Sequence, residues 1–362
     1  MAKRMNIAIS LVLCACALPM AAICAESTSN ATQTARQLFS TVKTAAKTTA
    51  NKMAGLGEVA PRVPYRSALA VDAATGKVLY QDNADVKAHP ASCTKMMTLL
   101  LVLEDLRAGR YVLSDTVKAS AYAATFRGSC LGIKAGEAIT VEDLLYALMI
   151  RSANDGAVVL AEHSSGRLGE ASLPTPPGRA RSPSGPNDGR LGEASLPEGE
   201  SKRLVRAFVD RMNRRAQELG MTNTRYVSPN GMTPYRNQAY SGFDTSTATD
   251  LSKLARHLVT MPEVFKYTSC PERAITMGDR KDVSLVAHNY FLPGTTDPQK
   301  YATPVPGCDG LKTGFTDAAG ASIVLTAQRD GRRVVAVVLG CANRLTRETA
   351  AACILRTALD AR

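Results

Sequence analysis

The chain opens with an apolar stretch from Ile7 to Ile23, preceded by Lys3 and Arg4 and followed by small residues around Ala22 to Ala25. That order is the pattern of a secretory leader, with cleavage expected after Cys24 or Ala25 and residues 1–25 removed. The apolar run is short for a membrane span, and no basic stop-transfer patch follows it. Residues 26–60 are rich in Ala, Thr, Ser and Lys with little apolar periodicity, which predicts a linker. From Tyr65 the pattern changes. Ser67 to Ala73, a Thr75-Gly76 turn, and Lys77 to Tyr80 read as a β-hairpin. The run from Ala91 to Leu106, apolar at Met97, Leu100, Leu101 and Leu103, predicts a mostly buried helix. Thr140, followed by Glu142 and Asp143, marks a helix start whose apolar face continues through Leu144, Leu145 and Leu148 and ends near Arg151. A short helix is expected from about Asp155 to His163, which puts Ser152-Ala153-Asn154 on the turn between two helices.

The nine residues from Gly166 to Pro174 return unchanged as Gly189 to Pro197, separated by Pro, Gly, Arg and Ser. Two copies cannot build a solenoid. With no patterned apolar face, the composition predicts a disordered insertion over about 164–200. Helical periodicity resumes from Leu204 to Leu219, with Gly220 placed as a helix stop. Strand patterns cover Asp309 to Gly314, Ala321 to Gln328 and Arg333 to Leu339, with Asp330-Gly331 as a hairpin turn. A final amphipathic helix covers about Thr346 to Leu359. Strands from both ends with helices between them predict one α/β domain over 61–362, built on a mainly antiparallel sheet flanked by helices plus a helical cluster.

A chain of 362 residues with 45% apolar content can bury a full core. Its formal charge of +12 is scattered, not gathered into an arm, and Trp is absent, so no nucleic-acid partner is expected. Nine cysteines and four histidines show no Cys-x-x-Cys or His-x-x-x-His spacing, so neither a metal nor another cofactor is expected. Outside the leader, Cys93, Cys130, Cys270, Cys308, Cys341 and Cys353 remain, and sequence leaves their pairing open. Within it, Leu13-Cys14-Ala15-Cys16 is similar to a lipoprotein signal, with a poor residue at Cys14.

Three short motifs occur in order: Ser92-Cys93-Thr94-Lys95, Ser152-Ala153-Asn154 and Lys312-Thr313-Gly314. Singly, each has an ordinary reading: a helix N-cap with a solvated lysine, a second N-cap, and a strand end with a turn glycine. Jointly they supply a reaction. Residues three apart on a helix share a face, so the Lys95 amine can reach the Ser92 hydroxyl. A serine alcohol needs a base, and Lys95 can serve once burial, the helix N-terminus and a second cation such as Lys312 lower its affinity for a proton. A glycine on a strand, Gly314, allows another backbone to approach closely.

With these motifs stand longer segments: Pro90 to Met97, Glu142 to Leu145, Ser152 to Asp155, Ala161 to His163, Glu218 to Met221, Gly310 to Gly314 and Thr316 to Gly320. Together they resemble the penicillin-recognising serine enzymes, specifically the low-molecular-weight D-alanyl-D-alanine carboxypeptidases, over about Tyr65 to Leu359 apart from the insertion. The resemblance implies a β-lactamase/transpeptidase-like fold, a peptidoglycan stem peptide ending in D-Ala-D-Ala as substrate, β-lactams as inhibitors, and a place in the periplasm or on the outer side of the cytoplasmic membrane. It implies that Ser92 attacks the carbonyl and Lys95 takes its proton. Ser152 relays a proton to the leaving amine, and Asn154 holds Lys95 and the substrate amide. Lys312 orients Ser152 and, with Thr313 and Arg347, receives the terminal carboxylate. Gly314 accommodates the peptide, and the N–H groups of Ser92 and Phe315 form the oxyanion hole. Phe315 stands where many relatives carry His, and Ala153 where they carry Gly. The β-rich second domain and terminal amphipathic anchor of many relatives are not seen, so no C-terminal membrane anchor is expected.

Three other readings use the same residues. A D,D-endopeptidase would cut cross-bridges instead. A β-lactamase of the common class would need a Glu-x-x-Leu-Asn segment, which does not occur. A non-catalytic wall-binding protein would have no use for the intact motifs.

Overall fold

A computed structural model describes residues 65–171, 196–232 and 242–361. The leader and linker predicted over 1–60 lie outside the described residues. Strands β1 (Ser67–Asp72) and β2 (Val78–Asp82) form the first hairpin, and β7 (Cys308–Thr316), β8 (Gly320–Arg329) and β9 (Arg332–Cys341) form the last three strands. They join in one sheet in the order β2-β1-β9-β8-β7, antiparallel throughout. The first and last strands of the described residues therefore pair, in a register that sets Ala70 opposite Ala336. Residues Val334 to Leu339 are buried without alternation, as expected of a strand covered on both faces. Helix α5 (Ala248–Leu258) packs on β1 and β9, and α7 (Arg344–Asp360) on β8 and β9.

The helix predicted from Ala91 divides in two: a 3-10 turn over Ala91–Thr94, then α1 over Lys95–Arg107. From Met96 to Leu103 every side chain of α1 is buried, so the helix lies in the interior. Each such leucine contributes about 1.5–3 kcal/mol. Asp105 is buried on the same helix, and an unpaired carboxylate there would be costly. Arg211 meets it at 2.7 Å, and Arg110, Ser164 and Tyr111 complete its shell. These contacts tie α1 to α3 (Asn154–Ala171) and α4 (Glu198–Glu218).

Between these lie a small pair, β3 (Thr116–Lys118) with β4 (Ala138–Thr140), and α2 (Val141–Tyr146), whose Thr140 side chain caps the Asp143 amide as the sequence indicates. A π-helical turn over Ala147–Arg151 leads to Ser152. Further on, α6 (Val264–Thr268) precedes a hairpin of β5 (Glu272–Met277) and β6 (Arg280–Val286).

The insertion boundaries need correction. Helix α3 continues past His163 to Ala171, and α4 begins at Glu198, so both margins of the segment assigned to 164–200 are helical. Ser164 and Ser165 are buried because α3 and α4 pack together there, and only 172–195 falls outside the described residues. All six cysteines of the described residues are free thiols.

Candidate active site

The site forms where the 3-10 turn packs against β7, the strand at the edge of the sheet. Two contacts allow backbones to come this close only because glycines are present. A Cβ on Gly314 would lie 2.7 Å from the Pro90 carbonyl, and one on Gly231 only 1.9 Å from that of Ala91. Gly231 also carries φ +79°, a conformation natural to glycine. Ala91 (φ 49°) and Ser152 (φ 62°) occupy the left-handed region without that freedom, at roughly 1–2 kcal/mol each.

Lys95 is fully buried at the start of α1. Its Nζ lies 3.0 Å from Ser92 Oγ, 2.7 Å from Asn154 Oδ1 and 2.7 Å from the Asn230 carbonyl oxygen. None of these partners is a carboxylate. Burial first, and the Lys312 charge second, hold the amine well below the usual lysine range, against the opposing pull of Cys130, Asp155 and Asp244. The amide of Asn154 is oriented at both ends, since Nδ2 donates to the Arg127 carbonyl at 2.8 Å. Its backbone N–H donates to Ser129 O at 2.7 Å. Asp155 then accepts the amides of Leu131, Gly132 and Ile133 at 3.0–3.2 Å, pinning that segment against the start of α3.

Lys312 is buried on β7, and its strand is joined to the turn that carries Ser92 by a contact of 3.6 Å from Cys93 Sγ to the Lys312 carbonyl. Burial brings its amine down to about 8, with Arg347 adding to the effect. Cys93 itself is buried, and desolvation pushes its thiol up to about 11, so it fills space. Lys312 Nζ donates to Thr313 O at 3.0 Å, and the Ser152 hydroxyl bonds neither lysine. Ser152 and Thr313 are buried beside their motif partners, whereas Phe315 is 59% exposed at the end of β7. Arg347 is buried, paired with Glu348, and its Nε has no hydrogen-bond partner.

Three groups escaped the sequence reading. The Asn230 acceptor is a backbone carbonyl, for which side-chain identity gives no signal beyond the Pro-Asn-Gly turn. His288 is brought to about 4 by burial and then by Lys312, Arg151, Arg347 and Arg344, marking a cationic surround. Glu348 holds both Arg344 and Arg347.

Residues 55–170 and 203–343 match the D-alanyl-D-alanine carboxypeptidase family. The chain belongs to that family. Among its relatives, D-alanyl-D-alanine carboxypeptidase DacF of Bacillus subtilis is 31% identical over 278 residues, covering 77% of this chain and 58% of the relative. The chain thus spans little more than half that relative's length. Among solved structures, a peptidoglycan synthesis regulatory factor (PBP3) from Streptococcus pneumoniae superposes with TM-score 0.64 at 28% identity, over 83% of this chain and 72% of the other. Penicillin-binding protein D2 from Listeria monocytogenes, solved in an ampicillin-bound form, gives 0.58 at 27% identity, over 83% and 100%. The fold expected from the family resemblance is the one observed.

The two lysines predict a bell-shaped dependence of acylation on pH. The rate should rise as Lys95 loses its proton and becomes a base. It should fall as Lys312 loses its charge near pH 8. Stopped-flow acylation by a fluorescent penicillin measures both limbs; a rate still rising well above pH 8 would count against any need for the Lys312 charge.

Proposed function

We propose that the chain hydrolyses the terminal D-alanyl-D-alanine bond of peptidoglycan stem peptides through an acyl-enzyme on Ser92. One observation carries this reading. Lys95 Nζ faces two carbonyl oxygens, which can only accept, and one hydroxyl, which can also donate. A neutral amine has two N–H bonds and one lone pair. It satisfies this shell when the N–H bonds serve Asn154 and Asn230 and the lone pair faces the Ser92 proton, which is the arrangement of a general base.

Ser92 Oγ bonds to the carbonyl carbon while its proton passes to Lys95 Nζ. The amides of Ser92 and Phe315 receive the developing oxyanion, and such donors are worth about two to three powers of ten in rate. The C–N bond breaks as Ser152 relays the proton held by Lys95, giving its own to the departing D-alanine amine and taking one from Lys95, which requires its hydroxyl to turn on substrate binding. Water then attacks the ester, and Ser92 regains its proton. Lys312, Thr313 and Arg347 hold the terminal carboxylate, and the open edge of β7 beside Gly314 accepts the peptide backbone. β-Lactams would acylate Ser92 in the same way, and the ampicillin-bound Listeria relative supports that expectation. A leader at 1–25 would deliver the enzyme outside the cytoplasmic membrane, to the periplasm or the membrane's outer face. Among the described residues no helix is long and apolar enough to cross a membrane.

The test is digestion of a stem pentapeptide and of purified cross-linked dimers. Free D-alanine with intact dimers is expected. Cleaved dimers without D-alanine release would make the enzyme an endopeptidase.

A further inference from the structure

The buried carboxylate of Asp244 takes no part in the chemistry above, yet it is bonded to both sides of the site. Its Oδ2 accepts from Thr94 Oγ1 and from Ser228 Oγ, each at 2.9 Å. Its Oδ1 accepts the amides of Val227 at 2.6 Å and Ser228 at 3.0 Å. Thr94 belongs to the turn that presents Ser92. Ser228 Oγ in turn accepts the Gly231 amide at 2.8 Å, one residue beyond the carbonyl that receives Lys95. The Asp244 carbonyl also lies 3.0 Å from His89 Nδ1, just before Pro90.

We propose that Asp244 is a positioning residue for the general base, clamping the Ser92 turn to the 227–231 segment so that Ser92 Oγ and Asn230 O are held around the Lys95 amine, and supplying a buried negative charge that faces it. The inference rests on the reading of Lys95 as the base. Two of the four groups around the carboxylate are backbone N–H donors, which suits an anion and leaves no acceptor for a carboxyl proton on Oδ1. Burial outweighs the four hydrogen bonds and raises this carboxyl above the usual carboxylate range, while those four donors favour its charged form.

The charge has a definite consequence. The groups facing Lys95 are Lys312 from β7, Asp155 from α3, Cys130 from the segment before β4, and Asp244. Burial and Lys312 drive the proton off, while the other three retain it. Tyr226 is the further titratable group facing Asp244. Removing the Asp244 charge therefore lets Lys95 lose its proton at lower pH. A purely structural clamp would change the rate without moving that midpoint.

The experiment compares Asp244→Asn with the wild-type full chain in acylation by fluorescent penicillin across pH. The amide keeps the size of the carboxylate, and the Thr94 and Ser228 hydroxyls can rotate to accept from it. The acidic limb is expected to move to lower pH, with the alkaline limb from Lys312 in place. A limb coincident with wild type overturns the proposal. Should the variant not fold, Thr94→Val removes one strut of the clamp and keeps the charge. Acylation about tenfold slower with an unmoved limb supports the proposal; a wild-type rate overturns it. A wild-type chain that takes no penicillin would instead overturn the functional reading itself.

Discussion

Replacement of Ser92 by alanine is expected to end covalent labelling by fluorescent penicillin and to lower D-alanine release by about four to six powers of ten. Among the described residues no other hydroxyl lies within hydrogen-bonding distance of Lys95 Nζ, whose other partners there are the carbonyl oxygens of Asn154 and Asn230. The fold should tolerate the change, because the lost hydrogen bond is worth about 0.5–1.5 kcal/mol and the two carbonyls keep their donor. Thermal melting should therefore show an intact protein with at most a small shift. Labelling of Ser92→Ala at the wild-type rate would place the nucleophile elsewhere.

Lys95→Ala should behave differently in both respects. Acylation should slow by about two to four powers of ten, the usual value of a positioned base, yet some labelling should survive because the hydroxyl remains. Stability should suffer more than in Ser92→Ala. Asn154 Oδ1 would lose its lysine donor in a buried site, at about 1–3 kcal/mol for the acceptor left unsatisfied. Melting temperature measured beside the acylation rate separates the two substitutions: one inactive and stable, the other slow and destabilised. A Lys95→Ala protein with wild-type acylation would sink the base assignment.

Much of the frame was legible because its signals are local. Apolar β-branched runs and the Asp330-Gly331 turn announced β8 and β9, and the Thr140 cap announced α2, since hydrogen bonds between near neighbours depend on few residues. The Thr247-x-x-Asp250 cap that opens α5 carries the same kind of signal. The β5–β6 hairpin was harder to see. Its strands are largely exposed and polar, so their period of two does not separate a core face. The margins of the insertion were misplaced because the Gly and Arg of the repeat weaken helix periodicity. Helix α3 nevertheless extends beyond His163, where Ser164 hydrogen-bonds to Asp105 on α1 and to Arg211 on α4.

At the candidate site, sequence alone determined that a serine and a lysine would share one face of a turn, because three residues of helical backbone fix that separation. It also singled out Gly314, by which β7 could approach them. Only the tertiary structure decided what the lysine is. Its other partners come from 59 and 135 residues away, and Thr94 meets its carboxylate across 150 residues. An amine's hold on its proton reflects everything packed around it, and for Lys95 that surround is assembled from segments whose spacing along the chain carries no trace of their convergence.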